Sequence, residues 1–297
     1  KLDIKFIPND LKDQNAITLT AVGDKISIKL NDGYTSGSGI IRIIAMDSYT
    51  SPSSFTTYLD IPLVIRDGSV EYPYKITKTE DLEIIATTKY EKCYQIVGQV
   101  ELTDEYIEKF SQNVFKGKLT GANNAKLTNI KLNTVREEAI GLFKKIADNA
   151  VVENITFEGA IDAENITPEK EINIGLIAGI NNGPLENVFV ILGQSKVSSS
   201  GSYKINIGGV VGQNNGTITA SGTLVRFTSA LTFTDIGSHN SEHILLIGGV
   251  TGKNTGTISR DASNAATEIN NASTTADVNI IVLSKITTQN NDGTESI

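Results

Sequence analysis

Two histidines and a glutamate are the residues whose spacing could bind a metal ion. His239, Glu242 and His243 lie in the segment His-Asn-Ser-Glu-His. On a helix, the i,i+4 spacing would place both imidazoles on one side, where zinc could bind. However, Gly237 and Ser238 precede the segment and a β-like apolar run follows it. We therefore expect a solvated loop here, without a metal.

Three aspartates form a second candidate metal site. Asp47, Asp60 and Asp67 lie where two modules are expected to meet. Calcium binds six to eight oxygen atoms, many of them from carboxylates. These residues are therefore the candidate calcium ligands, although three aspartates alone form an incomplete set. No other metal or cofactor is expected.

The sequence gives little support for a nucleotide-binding loop or for a reactive cysteine. The segment Ile207–Gly216 is rich in glycine, but no helical pattern follows it, as a dinucleotide-binding loop would require. Cys93 is the single cysteine, and neither histidine is near it in sequence. An intramolecular disulfide is therefore excluded, and we expect Cys93 to be an isolated or half-buried thiol.

The composition excludes several classes of partner. The chain has 297 residues, a net charge of −8 and no basic cluster longer than two residues, which argues against nucleic acid and anionic membranes. No apolar run approaches the ~20 residues of a membrane-spanning helix, so membrane insertion is not expected. The chain begins at Lys1 without a recognisable signal peptide, as expected for a fragment.

The elements that must position any site are mostly strands. Thr, Ser, Asn, Gly, Ile and Val are plentiful, and these residues favour strands and tight turns over helices. We therefore predict an all-β fold. Residues 1–67 show short alternating strands separated by turns such as Asn31-Asp32-Gly33, which is typical of a β-sandwich. Residues 66–69 are the predicted boundary.

The end of this first module resembles immunoglobulin-like or cadherin-like modules of bacterial surface proteins. The resemblance lies in Gly39–Asp47 and Phe55–Val64, where the pattern is that of the last two strands of such modules. It implies an immunoglobulin-like β-sandwich over 1–67. Because this length is short for the family, the sandwich is expected to be partial.

Residues 68–297 form the second predicted domain. Its first part mixes strands with two short helices, and its last part combines a loop, a strand and a mobile tail. The predicted elements are strands at Tyr74–Ile76 and Tyr94–Val97, helices at Lys78–Ala86 and Thr103–Phe110, a loop over 259–277, a strand at Asp277–Ile286 and a tail over 287–297.

An internal repeat dominates the second domain. Four glycines, Gly141, Gly175, Gly208 and Gly248, are spaced by 34, 33 and 40 residues, and the chemistry around them recurs. The aligned columns are Ile140, Ile174, Ile207 and Ile247; Phe143, Ile177, Val210 and Val250; Gly179, Gly212 and Gly252 with Lys145; Asn181, Asn214 and Asn254 with Ala147; Gly183, Gly216 and Gly256 with Asn149; and Val151, Leu185, Ile218 and Ile258.

These columns predict a right-handed parallel β-helix, or β-solenoid. A unit of this size fits one three-strand turn, and stacked turns would bury the aliphatic columns. The asparagine and glycine columns fall between strands, where residues that tolerate a left-handed backbone are needed. A repeated asparagine can also form a stacked hydrogen-bonded ladder. About seven extra residues before Gly248 are expected in a surface loop.

The repeats resemble the GLUG-type repeats of bacterial surface proteins. The resemblance covers roughly residues 72–260 and is carried by Ile140-Gly141-Leu142-Phe143, by Ile207–Asn214 and by Ile247–Asn254, with a leading coil at Phe115–Ile130. In that family the repeats occur in adhesins, in large secreted proteins and beside the catalytic part of some immunoglobulin-A peptidases. The resemblance implies a solenoid fold and an extracellular setting, not a reaction.

We therefore expect an extracellular adhesin-like or stalk module without catalytic residues. Its partners would be host or matrix glycans and proteins, or neighbouring domains of the same protein. The alternative is a polysaccharide lyase or glycosidase, or the non-catalytic flank of a large peptidase. A β-helix enzyme would group carboxylates on one sheet. The aligned column Glu153, Asn187, Ala220 and Arg260 shows no such group.

Overall fold

The structure is a computed structural model of the whole chain. It describes residues 2–10, 14–22, 25–34, 36–46, 56–133, 138–166, 170–199, 204–220, 225–229, 231–235 and 244–260, and strands at 280–282, 287–289 and 295–296. Strands dominate and helices are few, so the predicted all-β class is confirmed. The chain divides into two compact units, Lys1–Tyr74 and Lys75–Ile297. The boundary predicted after residue 67 lies seven residues before this division.

The first unit contains two small antiparallel sheets among its described residues. One has the strand order β1-β4-β5 and the other is the hairpin β2-β3. Ala16, just before β2, Ile17 at its start and Ile41 of β4 form the buried centre of the described residues. The immunoglobulin-like assignment stays a prediction. The bounds are β1 Leu2–Pro8, β2 Ile17–Val22, β3 Lys25–Leu30, β4 Gly37–Met46 and β5 Thr56–Ile65.

The second unit begins with a cap of mixed structure. A 3-10 turn at Thr79–Leu82 continues directly into helix α1, and helix α2 begins after Thr103 with two acidic residues in its first turn, a favourable position for negative charge. Both helices lie close to where the sequence predicts them. The bounds are β6 Tyr74–Ile76, α1 Glu83–Thr87, β7 Cys93–Glu101 and α2 Asp104–Ser111.

The cap covers one end of an apolar core through stacked aromatic rings. Phe110 of α2 stacks on Phe143 with ring centroids 5.8 Å apart and an interplanar angle of 17°. Phe143 in turn packs on Phe115 at 4.9 Å. All three side chains are buried, so α2 closes the first end of the repeat region.

After the cap, the chain winds through successive coils of short strands. The bounds are β8 Val114–Phe115, β9 Lys118–Leu132, β10 Ala139–Ile140, β11 Phe143–Ile146, β12 Val151–Glu153, β13 Thr156–Ile166, β14 Glu171–Gly175, β15 Ala178–Asn181, β16 Pro184–Glu186, β17 Phe189–Leu192, β18 Ser195–Ser199, β19 Lys204–Gly208, β20 Val211–Asn214, β21 Thr217–Ala220, β22 Val225–Phe227, β23 Leu231–Asp235, β24 Ile244–Gly248, β25 Thr251–Asn254, β26 Thr257–Arg260, β27 Ile280–Val282, β28 Thr287–Gln289 and β29 Glu295–Ser296.

The strands of the coils pair in parallel with their counterparts in the neighbouring coils, except β29, which pairs antiparallel with β28. One sheet has the order β10-β14-β19-β24, a second has β25-β20-β15-β11-β8, and a third contains β26-β21-β16-β12-β9. The long strands β9 and β13 continue through corners and join further faces to the third sheet. Parallel sheets with one strand per coil are compatible with the predicted β-helix.

The second and third coils have five strands each, not the three expected from the repeat length, and in the first coil β13 pairs with both the fourth and the fifth strand of the next coil. The second coil runs through β14 to β18 and the third through β19 to β23. Corners of only two residues separate β14 from β15, β15 from β16 and β16 from β17. These corners bend the chain sharply, which divides a unit of 33 residues into more and shorter strands.

The predicted alignment is confirmed for the last three copies and is shifted in the first. Gly175, Gly208 and Gly248 are register partners. In the first copy, Ile146 rather than Ala147 pairs with Asn181, and Val152 rather than Val151 pairs with Leu185. The reason is a longer corner at residues 147–150 and a shorter link before β11. The other paired columns are Ile140-Ile174-Ile207-Ile247, Asn181-Asn214-Asn254 and Leu185-Ile218-Ile258.

The two columns predicted to lie between strands with a left-handed backbone, Asn181-Asn214-Asn254 and Gly183-Gly216-Gly256, do not adopt that backbone, and the asparagines are the last residues of β15, β20 and β25. None of these residues has a positive φ; left-handed residues at the corners are instead Asn154 and Asn187, with φ of 60° and 50°. The glycines are needed because the backbones approach closely. A Cβ on Gly212 would lie 2.2 Å from the nitrogen of Ile174, and a Cβ on Gly175 would lie 2.3 Å from the Cα of Val211. Comparable contacts surround Gly141, Gly179, Gly183, Gly208, Gly216, Gly248, Gly252 and Gly256.

The C-terminal predictions have mixed outcomes. Strand β27 lies within the strand predicted at Asp277–Ile286. The tail predicted over 287–297 contains β28 and β29 instead, because β28 pairs in parallel with β23. The loop predicted over 259–277 begins inside β26, and its residues from 261 onward lie outside the described part. Part of the extra length before Gly248 also lies outside it, at 236–243.

The close backbone approach predicts the effect of adding a methyl group. We expect Gly212→Ala to lower the free energy of unfolding by about 1–3 kcal/mol, because the added Cβ must push two backbones apart. Gly193→Ala is the matched control, since its Cβ would meet only the carbonyl oxygen of Gly159 at 3.4 Å. Chemical denaturation measures both variants. Equal stability of the two would contradict the close approach.

Candidate functional site

A ladder of asparagine side chains connects three coils, and it is buried at Asn181 and Asn214 and exposed at Asn254. The Nδ2 of Asn181 donates to the Oδ1 of Asn214 at 2.8 Å, and the Nδ2 of Asn214 donates to the Oδ1 of Asn254 at 2.8 Å. Asn181 also donates to the carbonyl oxygen of Gly183 at 2.9 Å, so the same amide fixes the corner. The predicted ladder is confirmed. Among the described buried side-chain atoms, the Oδ1 of Asn181 lacks a partner, because Ile146 occupies the next position.

A second buried ladder was not predicted. The Nδ2 of Asn206 donates to the Oδ1 of Asn173 at 2.8 Å and to the Oε1 of Glu171 at 2.7 Å. The Nζ of Lys253 lies 2.7 Å from the same oxygen of Glu171. The sequence feature from which this ladder could have been predicted is the asparagine two residues before the repeated glycine. Only two of the four copies have it, and Leu246 occupies the position in the last coil.

A third ladder runs along the surface beside the first. Its hydrogen bonds join neighbouring coils at an exposed corner and leave amide and hydroxyl groups facing solvent. They are Asn182 Nδ2 to Asp148 Oδ1 at 2.7 Å, Asn215 Nδ2 to Asn182 Oδ1 at 2.9 Å and Thr255 Oγ1 to Asn215 Oδ1 at 2.6 Å.

Two carboxylates and a lysine meet on the outer face of the third sheet. Glu153 and Glu186 are register partners in neighbouring coils, and the Nζ of Lys118 lies 2.8 Å from the Oε1 of Glu153. The aligned column predicted from sequence separated the two glutamates, because it did not include the longer corner of the first copy. The outer column is in fact Thr120, Glu153, Glu186, Thr219 and Ser259.

The candidate calcium ligands do not form a cluster in the described residues. Arg42 forms a two-bond ion pair with Asp60 at 2.7 and 2.8 Å, and these hydrogen bonds lower the pKa of the Asp60 carboxyl. The Oδ1 of Asp67 accepts a hydrogen bond from the backbone N–H of Ser69 at 2.9 Å. Asp47 lies outside the described residues. Within those residues, no three His, Cys, Asp or Glu side chains form a metal-binding group.

The remaining candidates from the sequence lie apart from these features. Residues His239, Glu242 and His243 fall outside the described part of the chain. Cys93 is half-buried in β7, where it is the register partner of Lys118. Its position on an outer column agrees with the half-buried thiol that was expected.

A cleft of about 510 Å³ opens in the cap. The ring of Tyr90, one of its lining residues, is buried, and burial raises the pKa of its hydroxyl. That hydroxyl donates to the carbonyl oxygen of Lys109 at 3.0 Å and accepts from the Nδ2 of Asn113 at 3.1 Å. In the same lining, Lys116 pairs with Glu91 at 2.9 Å and lowers the pKa of that carboxyl. The lining residues are Ala86, Lys89, Tyr90, Glu91, Gln112, Asn113, Val114 and Lys116.

Sequence reasoning missed this cleft. Its two walls are segments 86–91 and 112–116, which are separated by a strand and a helix in the chain. No motif connects them. They are joined by the Asn113–Tyr90 hydrogen bond, by the Lys116–Glu91 ion pair and by the backbone N–H of Lys116, which donates to the carbonyl oxygen of Tyr90 at 2.9 Å.

The chain is similar to halomucin of Haloquadratum walsbyi, with 26% identity over 166 residues. The match covers 51% of this chain and 2% of halomucin. No protein-family model matches the chain, and no solved structure matches it. The resemblance to GLUG-type repeats therefore stays a prediction. In the part of the chain that the structure describes, no helix is long and apolar enough to cross a membrane.

The buried ladder predicts a large cost for losing one amide. We expect Asn214→Ala to reduce the free energy of unfolding by about 1–3 kcal/mol, because it removes both hydrogen bonds between coils and leaves buried polar atoms unpaired. The control is Asn215→Ala in the exposed ladder, where water can replace the lost bonds. We expect that variant to stay within about 0.5 kcal/mol of the parent protein. Urea titration compares them, and equal losses would contradict a special role for burial.

The ion pair at Glu171 predicts a pH effect. A hydrogen bond from Lys253, followed by one from Asn206, lowers the pKa of the Glu171 carboxyl from its ordinary 4.5, against the opposing effect of burial. The stabilisation is therefore present above pH 4.5 and is lost as the pH falls through the lowered value. Glu171 is about one-third exposed, so we expect a contribution below about 1 kcal/mol.

Melting curves between about pH 5 and pH 3 test this effect. The parent protein should lose more stability across that range than Glu171→Gln. Glu186→Gln, which removes an exposed carboxylate from the outer face, is the control and should follow the parent protein. If the melting temperature of all three proteins falls equally with pH, the proposed contribution of the Glu171 ion pair is contradicted.

Proposed function

We propose that this chain is a non-catalytic display module of a microbial surface or secreted protein. In this proposal the repeats form a right-handed β-solenoid of the GLUG type, and the first unit is an immunoglobulin-like module. The solenoid serves as a stalk whose exposed faces contact host or matrix glycans and proteins. Neighbouring domains of the same protein are further candidate partners.

The observation that carries this proposal is the difference between the inner and outer columns of the coils. The column Ile140-Ile174-Ile207-Ile247 is aliphatic in every coil. The outer column on β11, β15, β20 and β25 changes instead from coil to coil, and its residues are Lys145, Ile180, Gln213 and Lys253. The recurring residues therefore serve stacking, whereas the outer residues are free to vary. This is the property expected of a spacer that displays surface groups.

The similarity to halomucin supports the surface or secreted setting. The matched region is a small part of that protein, as expected if modules of this kind occur within much longer chains. The exposed ladder also supports contacts with sugars. Its amide and hydroxyl groups, from Asn182, Asn215 and Thr255, can donate to and accept from sugar hydroxyls.

One observation favours the enzymatic alternative. Glu153, Glu186 and Lys118 bring two carboxylates and a cation together on one sheet, which is the kind of group that polysaccharide-cleaving β-helix enzymes need. The group lies on an outer sheet face, and Lys118 already neutralises one of its carboxylates. We therefore favour the display role and use this group to test it.

Arrays of glycans and matrix proteins, combined with turnover assays, test the proposal. We expect the full chain to be retained by at least one class of saccharide or matrix protein and to release no products from neutral or acidic polysaccharides. The double variant Glu153→Gln, Glu186→Gln should bind as the parent protein does. Product release that this double variant abolishes would show an enzyme and overturn the display role.

A further inference from the structure

Helix α1 ends in a conformation that normally requires glycine. The backbone N–H of Lys89 donates to the carbonyl oxygen of Ala86 at 3.1 Å, and that of Tyr90 donates to Ile85 at 3.0 Å. These are the two hydrogen bonds of a Schellman motif, in which the residue after the helix cap is left-handed. Lys89 and Tyr90 have φ of 56° and 62°, so two consecutive side-chain-bearing residues adopt the conformation that glycine adopts at lower cost.

Packing explains why a tyrosine occupies the left-handed position 90, but it does not explain the lysine at position 89. The Tyr90 ring is buried against Phe110 in an edge-to-face contact at 5.8 Å, and its hydroxyl is hydrogen bonded to the cap. The Lys89 side chain is exposed. Its electrostatic interaction with Glu91 is a minor one, since Lys116 already binds that carboxylate. The fold therefore gains nothing visible from lysine at position 89, and glycine would be more stable there.

A residue that is costly for the fold and unused by it points to a role in binding. Lys89 lines the cap cleft, whose volume is in the range of small-ligand sites. Lys116 and Glu91 of the same lining neutralise each other, which leaves the ammonium of Lys89 as the excess charge among the lining residues. The amide nitrogen of Gln112 already donates to Glu108, and that of Asn113 donates to Tyr90 and to the carbonyl oxygen of Lys109. These two lining residues therefore contribute their amide oxygens to the cleft.

This chemistry selects one class of ligand. A single cation suits a singly charged carboxylate, whereas nucleic acids and other polyanions require many cations and are disfavoured by the net charge of −8. Amide oxygens accept hydrogen bonds from hydroxyl groups, which suits a sugar. We propose that the cap cleft binds a carboxylate-bearing saccharide, with Lys89 as the charge partner of the carboxylate. The proposal deepens the display function above and rests on it.

Calorimetric titration of the full chain with an aldobiouronic acid tests the proposal. This disaccharide has one uronic acid linked to a neutral sugar, and the control ligand is the same disaccharide with its carboxylate reduced to an alcohol. We expect binding of the acid to be about tenfold tighter than binding of the reduced form. Lys89→Gly should abolish that preference while raising the melting temperature by about 2 °C, because it removes the left-handed strain.

Two further variants keep the test specific. Lys89→Arg should retain the preference for the acid. Lys92→Gln removes a nearby exposed charge outside the cleft lining and should leave the affinity unchanged. The proposal is overturned if the reduced disaccharide binds equally well, or if Lys92→Gln weakens binding as much as Lys89→Gly. If the arrays show saccharide binding that does not depend on Lys89, the cleft proposal fails and the display function stands. If neither the arrays nor titration shows binding, both fail.

Discussion

A buried amide needs partners for its hydrogen atoms and its oxygen, since an unpaired polar group in an apolar core is costly. In this chain the partner of each buried asparagine is the asparagine of the next coil. Asn181 and Asn214 are fully buried and hydrogen bonded to each other, and Asn173 and Asn206 repeat the arrangement on another sheet. A slip of one residue between coils would break every one of these bonds. The ladders therefore hold the parallel sheets in a single register.

The glycine columns restrict the same register sterically, because the backbones of neighbouring coils approach closely at these positions. Gly212 approaches the backbone of the preceding coil closely enough that no side chain fits. Together, polar pairing and steric exclusion leave few residue types acceptable at these positions. This double restriction makes the repeat visible in the sequence, and it explains why the alignment of the last three copies was predicted correctly. The first copy was shifted because its corner at 147–150 has a different length.

Other features of the structure could not be predicted from the sequence. The corner between β14 and β15 consists of Leu176 and Ile177, which are apolar and buried, so no turn signal separates the strands and five strands per coil could not be expected. The proximity of Glu153 to Glu186 depends on that first-copy shift. The cap cleft joins segments that are distant in sequence. The inner columns thus determine the architecture, and the variable outer columns and the cap provide the surfaces through which we propose that it acts.

A double-mutant cycle between Asn181 and Asn214 tests this account most directly. The free energy of unfolding is measured for the parent protein, for Asn181→Ala, for Asn214→Ala and for the double variant. If the ladder couples the coils, the second substitution should cost less once the first is present, with a coupling energy of about 1–2 kcal/mol. Additive losses, with a coupling energy within about 0.3 kcal/mol of zero, would contradict the central role of the ladder.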